Sequence, residues 1–213
     1  MGYSVKEIFY SLQGEGFHSG RPAVFCRFAG CNLWSGKESD RARAVCKFCD
    51  TDFRGMDGPG GGFFETSGQL AEAISLLWPT KESRVVRPFV VCTGGEPLLQ
   101  LNAELIDAFH GKGFEVAVET NGTILPPAGV DWLCVSPKAN TDWILRCGQE
   151  LKLVFPQTGL DPAVFASCAF QYFFLQPCAG AAMERNTSLA VDYVLTHPQW
   201  RLSLQLHKIL KIK

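Results

Sequence analysis

The chain has 213 residues, which is enough for one domain with a substantial core. Its formal net charge of −1 and charged fraction of 19% argue against a basic surface for nucleic acid. The first residues lack the order of a secretory signal, and no apolar run approaches the ~18 residues of a membrane helix. We therefore expect a cytoplasmic protein with no nucleic-acid and no membrane partner.

Seven short apolar runs predict buried parallel strands, because they are rich in β-branched and aromatic residues and end at turn residues. They span residues 23–30, 88–95, 115–122, 132–138, 150–156, 172–177 and, with the weakest pattern, 201–206. The glycine-rich segment 54–64 is predicted to be a mobile surface loop.

Helical periodicity is clear at only three places, residues 66–78, 97–113 and 186–198, with a weak fourth pattern at 161–168. Thr66 or Ser67 is the candidate N-cap of the first helix. This is fewer crossovers than a complete (βα)8 barrel has. The predicted fold is therefore α/β: an incomplete, open TIM-like (βα) barrel of about six parallel strands with few helices.

Nine cysteines without an export signal favour metal-binding or catalytic roles over disulfides. Cys31, Cys46 and Cys49 follow the first predicted strand, and three soft thiolates suit an iron–sulfur cubane with one iron open for a small molecule. A structural zinc site with Cys26 as the fourth ligand is the alternative. The six scattered cysteines are predicted to be small buried hydrophobes: Cys26, Cys92, Cys134, Cys147, Cys168 and Cys178.

Polar residues follow several of the predicted strands. A Gly-Gly-Glu-Pro segment stands at 94–97, and further polar groups stand at 119–122, 136–138 and 176–177. Because the carboxyl ends of parallel strands meet on one rim, the set predicts a shared ligand site, although each could alone be an ordinary turn.

Three other features have both a functional and an ordinary interpretation. The oxygen side chains at 50–52 could bind magnesium, but the residues alone favour a turn. Gln13, Glu15 and Arg27 could present an amide, a carboxylate and a guanidinium to a polar heterocycle, or could belong to a surface loop. His207 could contact a ligand, or could simply be solvated.

Together these features resemble the 7-carboxy-7-deazaguanine synthase family of the radical S-adenosylmethionine superfamily. The resemblance covers the chain from Phe9 nearly to its end. It rests on the segments FYSLQGEG, RFAGCNLW, CDTDF, CTGGEPLLQ, ETNGT, VSPK and HPQWRLSLQLHK. Fourteen residues separate Cys31 from Cys46, where most of the superfamily has three. The resemblance implies a single radical SAM domain over 1–213 with a cluster-binding loop over 31–49.

The resemblance implies a carbon–nitrogen lyase that converts 6-carboxy-5,6,7,8-tetrahydropterin to 7-carboxy-7-deazaguanine with loss of ammonia, in 7-deazapurine and queuosine biosynthesis. A [4Fe–4S] cluster on Cys31, Cys46 and Cys49 and S-adenosyl-L-methionine would generate the radical, so no side chain is assigned as catalytic. The resemblance also implies Mg2+, an electron donor such as flavodoxin or ferredoxin, and a homodimer.

Residue roles follow from the same resemblance. The expected contacts of S-adenosylmethionine are Phe48, Cys49, Asp50, Gly95, Ser136, Pro137, Lys138, Gln176, Pro177, Cys178 and Ala179. The expected contacts of the substrate are Leu12, Gln13, Gly14, Glu15, Arg27, Thr93, Glu119, His207 and the terminal carboxylate of Lys213. The hydroxyl of Thr51 would bind magnesium, which reverses the turn interpretation of segment 50–52.

Two other functions remain open from the residues. A radical enzyme that activates a protein partner by forming a glycyl radical would share the cluster but would need neither Arg27 nor Glu15. A non-enzymatic zinc or iron–sulfur module would need a fourth cysteine ligand and would not respond to S-adenosylmethionine.

Overall fold

The fold is a single curved sheet in a computed structural model that describes residues 2–79 and 86–213. In chain order its strands are β1 Tyr3–Leu12, β2 Pro22–Phe28, β3 Gly62–Phe64, β4 Phe89–Gly94, β5 Glu115–Thr120, β6 Trp132–Val135, β7 Cys147–Phe155, β8 Ala169–Pro177 and β9 Trp200–Leu202. Their order across the sheet is β3-β1-β2-β4-β5-β6-β7-β8-β9.

Seven of these strands, β2 and β4 to β9, pair in parallel, and each overlaps one of the predicted runs. The order across the sheet is linear, with β3 at one edge and β9 at the other. The predicted open, TIM-like α/β architecture is therefore confirmed, with seven parallel strands where about six were expected.

β1 and β3 extend the sheet in the antiparallel direction, and the sequence did not predict either strand. The loop prediction for segment 54–64 is wrong at its end, since Gly62–Phe64 forms β3 along β1. The residues before β3 also pack on β1: Gly58 N donates to Lys6 O at 3.0 Å, and Ile8 N donates to Pro59 O at 2.8 Å.

The helices are few, as predicted, and the first three pack against one face of the sheet. Their bounds are α1 Ser67–Ser75, α2 Ala103–Gly111, α3 Met183–Thr196 and α4 Leu206–Leu210. A capping box starts α1, in which Thr66 accepts from Gln69 N and the Gln69 side chain accepts from Thr66 N. In the described part of the chain, no helix has the length and apolar character needed to cross a membrane.

Three predicted boundaries are wrong. Asn102 caps α2, so that helix starts six residues later than expected, after a separate 3-10 turn at Pro97–Leu99. The weak pattern at 161–168 is a 3-10 turn, Pro162–Phe165. The last predicted strand, 201–206, is observed as the shorter strand Trp200–Leu202. Leu206 belongs instead to α4.

The two faces of the parallel strands differ in character. The face toward the helices carries the main core, with Cys26 and Cys92 fully buried on adjacent strands. Inside the barrel, the first halves of the strands form a smaller apolar layer of Ala23, Phe25, Phe89, Val91 and Ala117. The second halves place polar and charged side chains inside, which positions the site at the carboxyl ends of the strands.

The scattered cysteines are only partly as predicted. Cys26, Cys92 and Cys134 are buried, and burial raises the pKa of each thiol. Cys168 and Cys178 are half-buried. Cys147 is exposed at the start of β7, so its prediction as a buried hydrophobe is wrong.

Candidate active site

A cavity of about 430 Å3 opens at the carboxyl ends of the parallel strands. Its wall includes the three clustered cysteines and the charged residues inside the barrel. All but two of the predicted site residues line it, the exceptions being Pro137 and Cys178. The strand ends therefore converge as the sequence predicted, whereas the role of each residue stays a prediction.

The three cysteines lie together on one wall of this cavity. Cys31 follows the end of β2, and its Sγ accepts a hydrogen bond from Leu33 N at 3.4 Å. The hydrogen bond between Cys46 and Cys49 lowers the pKa of Cys49 to about 6 and raises that of Cys46. Burial raises the pKa of Cys31, so Cys49 alone of the three thiols has a lowered pKa.

The arrangement fits a cluster better than a single metal ion. Within residues 2–79 and 86–213, no three His, Cys, Asp or Glu side chains converge closely enough to bind one ion. A [4Fe–4S] cubane places each thiolate on a different iron, so its cysteines need not point at one centre. Cys26 packs in the core beside Cys92, on the opposite face of β2 from the cavity. The four-cysteine zinc interpretation is therefore wrong.

The residues between Cys31 and Cys46 are more than a spacer. Trp34, Ala44 and Phe53 form a small core against which Cys31 and Cys49 pack. The Arg41 guanidinium lies 4.1 Å from the centre of the Trp34 ring and donates to two main-chain oxygens of the cysteine turn, at 2.9 and 3.1 Å. This segment shapes the cysteine wall, and sequence reasoning did not assign it that role.

Gly95 brings the end of β4 against the cysteine loop. A Cβ at this position would lie 2.0 Å from Gly30 O and 2.8 Å from Cys31 Cβ. Those atoms belong to the chain that carries the first cysteine. Only glycine allows this approach, so Gly95 fixes where Cys31 stands.

Glu96 is fully buried and does not line the cavity, although the segment that contains it was predicted to bind a ligand. Its Oε1 accepts from Leu98 N at 3.0 Å and Thr120 Oγ1 at 2.8 Å, and its Oε2 accepts from Asn121 N at 2.8 Å. Burial raises its pKa. Glu96 therefore ties the ends of β4 and β5 together and acts on the site only through them.

Lys138 lies on the cavity wall near the cysteines. Its Nζ donates to Ser136 O and to Ser136 Oγ at 2.7 Å. Burial lowers the pKa of Lys138, while Cys46 and Cys49 act in the opposite direction. The main-chain oxygens of Pro137 and Cys178 accept hydrogen bonds from the side-chain amides of Gln157 and Asn186. Neither residue lines the cavity, so the structure adds no support for their predicted cofactor contacts.

The opposite part of the cavity holds a buried group of carboxylates and a lysine. Glu15 Oε2 lies 2.6 Å from Lys152 Nζ, and Glu15 Oε1 accepts from Gln205 at 2.8 Å and from Gln176 at 3.1 Å. Burial acts to raise the pKa of Glu15, but Lys152 and the amide donors outweigh it and lower the value to about 2. Lys152 and Gln205 were not predicted as site residues.

Arg27 is held by a partner that the sequence analysis also missed. Its Nε donates to Glu7 Oε1 at 2.9 Å, and Lys213 Nζ lies 2.6 Å from Glu7 Oε2. The main-chain O of Lys213 accepts from Ser11 Oγ at 2.6 Å. This brings the C-terminal residue to the cavity, as predicted, while Glu7 faces inward as a lone acidic residue on β1 that no motif marks.

Segment 50–52 forms hydrogen bonds and ion pairs within the chain. Asp52 accepts from Arg54 N at 3.1 Å and pairs with Lys6 Nζ at 2.9 Å, so it forms the turn that the residues alone favoured. Asp50 pairs with Lys208 of α4. Thr51 lines the cavity, and its magnesium role stays a prediction.

α4 closes the cavity from the side of the first loop. Leu206 N donates to Gly14 O at 2.9 Å, and a Cβ on Gly14 would lie 2.3 Å from His207 Nδ1. Gly14 is therefore needed for His207 to reach the cavity wall, where both residues were predicted.

The cavity of this open parallel barrel has three thiols on one wall and charged and amide side chains elsewhere in its lining. This is the arrangement of a radical S-adenosylmethionine enzyme. No protein-family model matches the chain. It is 58% identical over 212 residues to the 7-carboxy-7-deazaguanine synthase of Bordetella pertussis, with 100% of both chains covered. It is 59% identical over 211 residues to that of Caulobacter vibrioides, with 99% of each covered.

A solved structure, QueE from Escherichia coli, superposes with a TM-score of 0.67 at 27% identity and covers 97% of this chain and 95% of its own. The chain belongs to the 7-carboxy-7-deazaguanine synthase family. The predicted family and superfamily are thereby confirmed, and with them the need for a [4Fe–4S] cluster and S-adenosylmethionine. The glycyl-radical activator and the non-enzymatic module are set aside.

Proposed function

We propose that the chain is a carbon–nitrogen lyase that converts 6-carboxy-5,6,7,8-tetrahydropterin to 7-carboxy-7-deazaguanine with loss of ammonia, in 7-deazapurine and queuosine biosynthesis. One observation carries the proposal: a single cavity joins the three-cysteine wall to the polar set of Gln13, Glu15, Glu119 and Arg27. The full-length likeness to 7-carboxy-7-deazaguanine synthases supports it.

The cofactor end of the cavity is built from residues around the cysteines. Cys31, Cys46 and Cys49 would hold the cluster, which with S-adenosylmethionine supplies the radical that removes a hydrogen atom from the substrate. The surrounding wall would bind S-adenosylmethionine through Phe48, Asp50, Gly95, Ser136, Lys138, Gln176, Pro177 and Ala179.

The substrate end matches the chemistry of a pterin. A pterin ring presents N–H donors along one edge, and the carboxylates of Glu15 and Glu119 are acceptors. Arg27 can hold the substrate carboxylate with its terminal nitrogens, because Glu7 already takes its Nε. Leu12, Gly14, Thr93, His207 and Lys213 complete this end of the wall.

The direct test is anaerobic incubation of the reconstituted enzyme with reductant, S-adenosylmethionine and the tetrahydropterin, followed by mass spectrometry. Arg27→Lys keeps the charge but loses the fork, so it should raise the KM for the pterin about 30-fold. Arg201→Lys changes an exposed arginine and is the matched control. Release of 5′-deoxyadenosine without the deazaguanine would refute the substrate assignment.

We also infer that Thr51 Oγ1 contributes to a magnesium site, as in the family resemblance. Thr51 lines the cavity beside Asp50. Thr51→Ala should raise the Mg2+ concentration needed for half-maximal activity, and Thr51→Ser should restore it because serine keeps the hydroxyl. Equal magnesium dependence in all three enzymes would refute the role.

The assembly and setting that we infer are a cytoplasmic homodimer of one-domain chains over 1–213, reduced by flavodoxin or ferredoxin. The sheet has two edges, β3 and β9, and uncovered edges favour association. Light scattering should give twice the chain mass, and reduced flavodoxin should support turnover without chemical reductant. A monomer, or no turnover with either electron carrier, would overturn the corresponding inference.

A further inference from the structure

We propose that Lys152 is a positioning residue for the pterin: it keeps the carboxylates of Glu15 and Glu119 ionised and side by side as acceptors for the N–H groups of the ring. This rests on the proposed function, since it concerns how the same cavity recognises the same substrate.

At Lys152, one cation on β7 pairs with carboxylates from two other elements of the barrel. It points inward from β7 and is only 4% exposed. Its Nζ lies 2.6 Å from Glu15 Oε2, on the loop after β1, and 3.3 Å from Glu119 Oε1, on β5. A buried lysine between two carboxylates fixes their separation as well as their charge.

The amide donors around the carboxylates leave room for a ligand. Gln13 Nε2 donates to Glu119 at 2.8 Å, and it uses Oε1, the same oxygen that faces Lys152. Among the described residues, Oε2 of Glu119 accepts no hydrogen bond. Because Glu119 lines the cavity, a carboxylate oxygen without a donor in the chain is suited to accept an N–H of a heterocycle.

Two carboxylates held this close without a cation would share a proton, because like charges in a buried site disfavour double ionisation. A protonated carboxyl presents a donor where the ring requires an acceptor. Lys152 prevents this, so its effect on binding operates through the ionisation of its neighbours and not through contact with the pterin.

Among the described residues, Lys152 is the one cation in an ion pair with Glu15 or Glu119, while His207 favours the ionised form of Glu15 from beyond ion-pair distance. The other titratable groups that face Lys152 or its carboxylates are Glu150, Cys134, Lys138 and His207. Glu150 accepts from Phe17 N and Trp132 Nε1, each at 3.3 Å, and burial raises its pKa. For Lys152, burial acts to lower the pKa, but Glu119 and Glu15 outweigh it and hold it well above its ordinary value.

The test is equilibrium binding of 6-carboxytetrahydropterin to the cluster-reconstituted enzyme loaded with S-adenosylmethionine, without reductant, from about pH 6 to about pH 9. Lys152→Met should weaken pterin binding about 30-fold at neutral pH, and the deficit should narrow as the pH rises and the shared proton leaves. Lys152→Arg should bind nearly as wild type. Lys112→Met, on the exposed end of α2, is the matched control.

Each outcome of this binding experiment either supports or overturns the proposed role of Lys152. A Lys152→Met enzyme with wild-type affinity, or with a deficit that does not change with pH, overturns the proposal, as does a parallel loss of S-adenosylmethionine binding. If that variant does not fold, Lys152→Gln replaces it, and the wild type remains informative: its own affinity should be flat over this pH range. Failure of the proposed function is distinct, because the wild type would then not bind the pterin at all.

Discussion

Gly95 lies against the cysteine loop, so Gly95→Ala should displace Cys31 and weaken cluster binding. The new Cβ would lie 2.0 Å from Gly30 O, whereas ordinary contact begins at 3.4 Å, so the carbonyl would have to retreat by about 1.4 Å. Gly30 precedes Cys31, and the same oxygen accepts from Glu96 N at 3.0 Å. Overpacking against backbone of this kind costs about 3 kcal/mol.

The assay compares iron and sulfide content, visible absorption and thermal unfolding of the reconstituted proteins. Gly95→Ala should bind less cluster and unfold several degrees lower, since about 1 kcal/mol shifts the midpoint of a chain this size by ~2–4 °C. Gly111→Ala is the control, because a Cβ at that helical position meets nothing within 4 Å. A Gly95→Ala enzyme with a full cluster and unchanged unfolding would refute the reasoning.

Three other substitutions follow from the same structure. Glu96→Gln leaves one of three buried donors unpaired, so the free energy of unfolding measured in urea should fall by about 2 kcal/mol. An unchanged free energy of unfolding would count against the role of Glu96 in tying β4 to β5. Arg41→Met removes two hydrogen bonds to the cysteine turn and should speed iron loss to a chelator, so an equal rate would argue against its bracing role. At Asp131, burial acts to raise the pKa, but donation from Val116 N and His110 outweighs it and lowers the pKa. Asp131 therefore stabilises the fold above its unfolded pKa of ~3.9, and this is lost as the pH falls. The stability gap between wild type and Asp131→Asn should close in acid, and a gap that persisted would refute this.

Most of the parallel strands were predictable because their residues are largely buried and form nearly continuous apolar runs. β1 escaped prediction for a physical reason: Lys6 and Glu7 interrupt its apolar pattern. Both side chains are satisfied only by residues far along the chain, Asp52 and Asp57 for Lys6, and Arg27 and Lys213 for Glu7. Such partners are invisible until the strand has a place in the sheet.

The site divides in the same way. The cysteines and the residues at strand ends were predictable, since they sit where apolar runs turn polar and parallel strands place those points on one rim. Lys152 lies inside a strand and is 137 residues from Glu15 in the chain. Only the closing curve of the sheet brings the two together. The signal that could have identified Lys152 is a charged residue in the interior of a predicted strand. Such a residue should be interpreted as facing the cavity and not as interrupting the strand.

Under the proposed function, two groups of charged residues on different sides of the cavity determine the orientation of the bound ligand. On the side of β1 and β2, Arg27 offers donors, and Glu7 is already occupied by Arg27 and Lys213. On the side of β5 and β7, Glu15 and Glu119 offer acceptors, and Lys152 is occupied by them. A molecule with a carboxylate at one end and a row of N–H groups at the other satisfies both sides in one orientation alone. The reverse orientation would bury donors against donors and acceptors against acceptors, each mismatch costing about 1–3 kcal/mol. Under the proposed function, these charges, which the fold pairs before the substrate arrives, would fix the orientation of the pterin in the cavity.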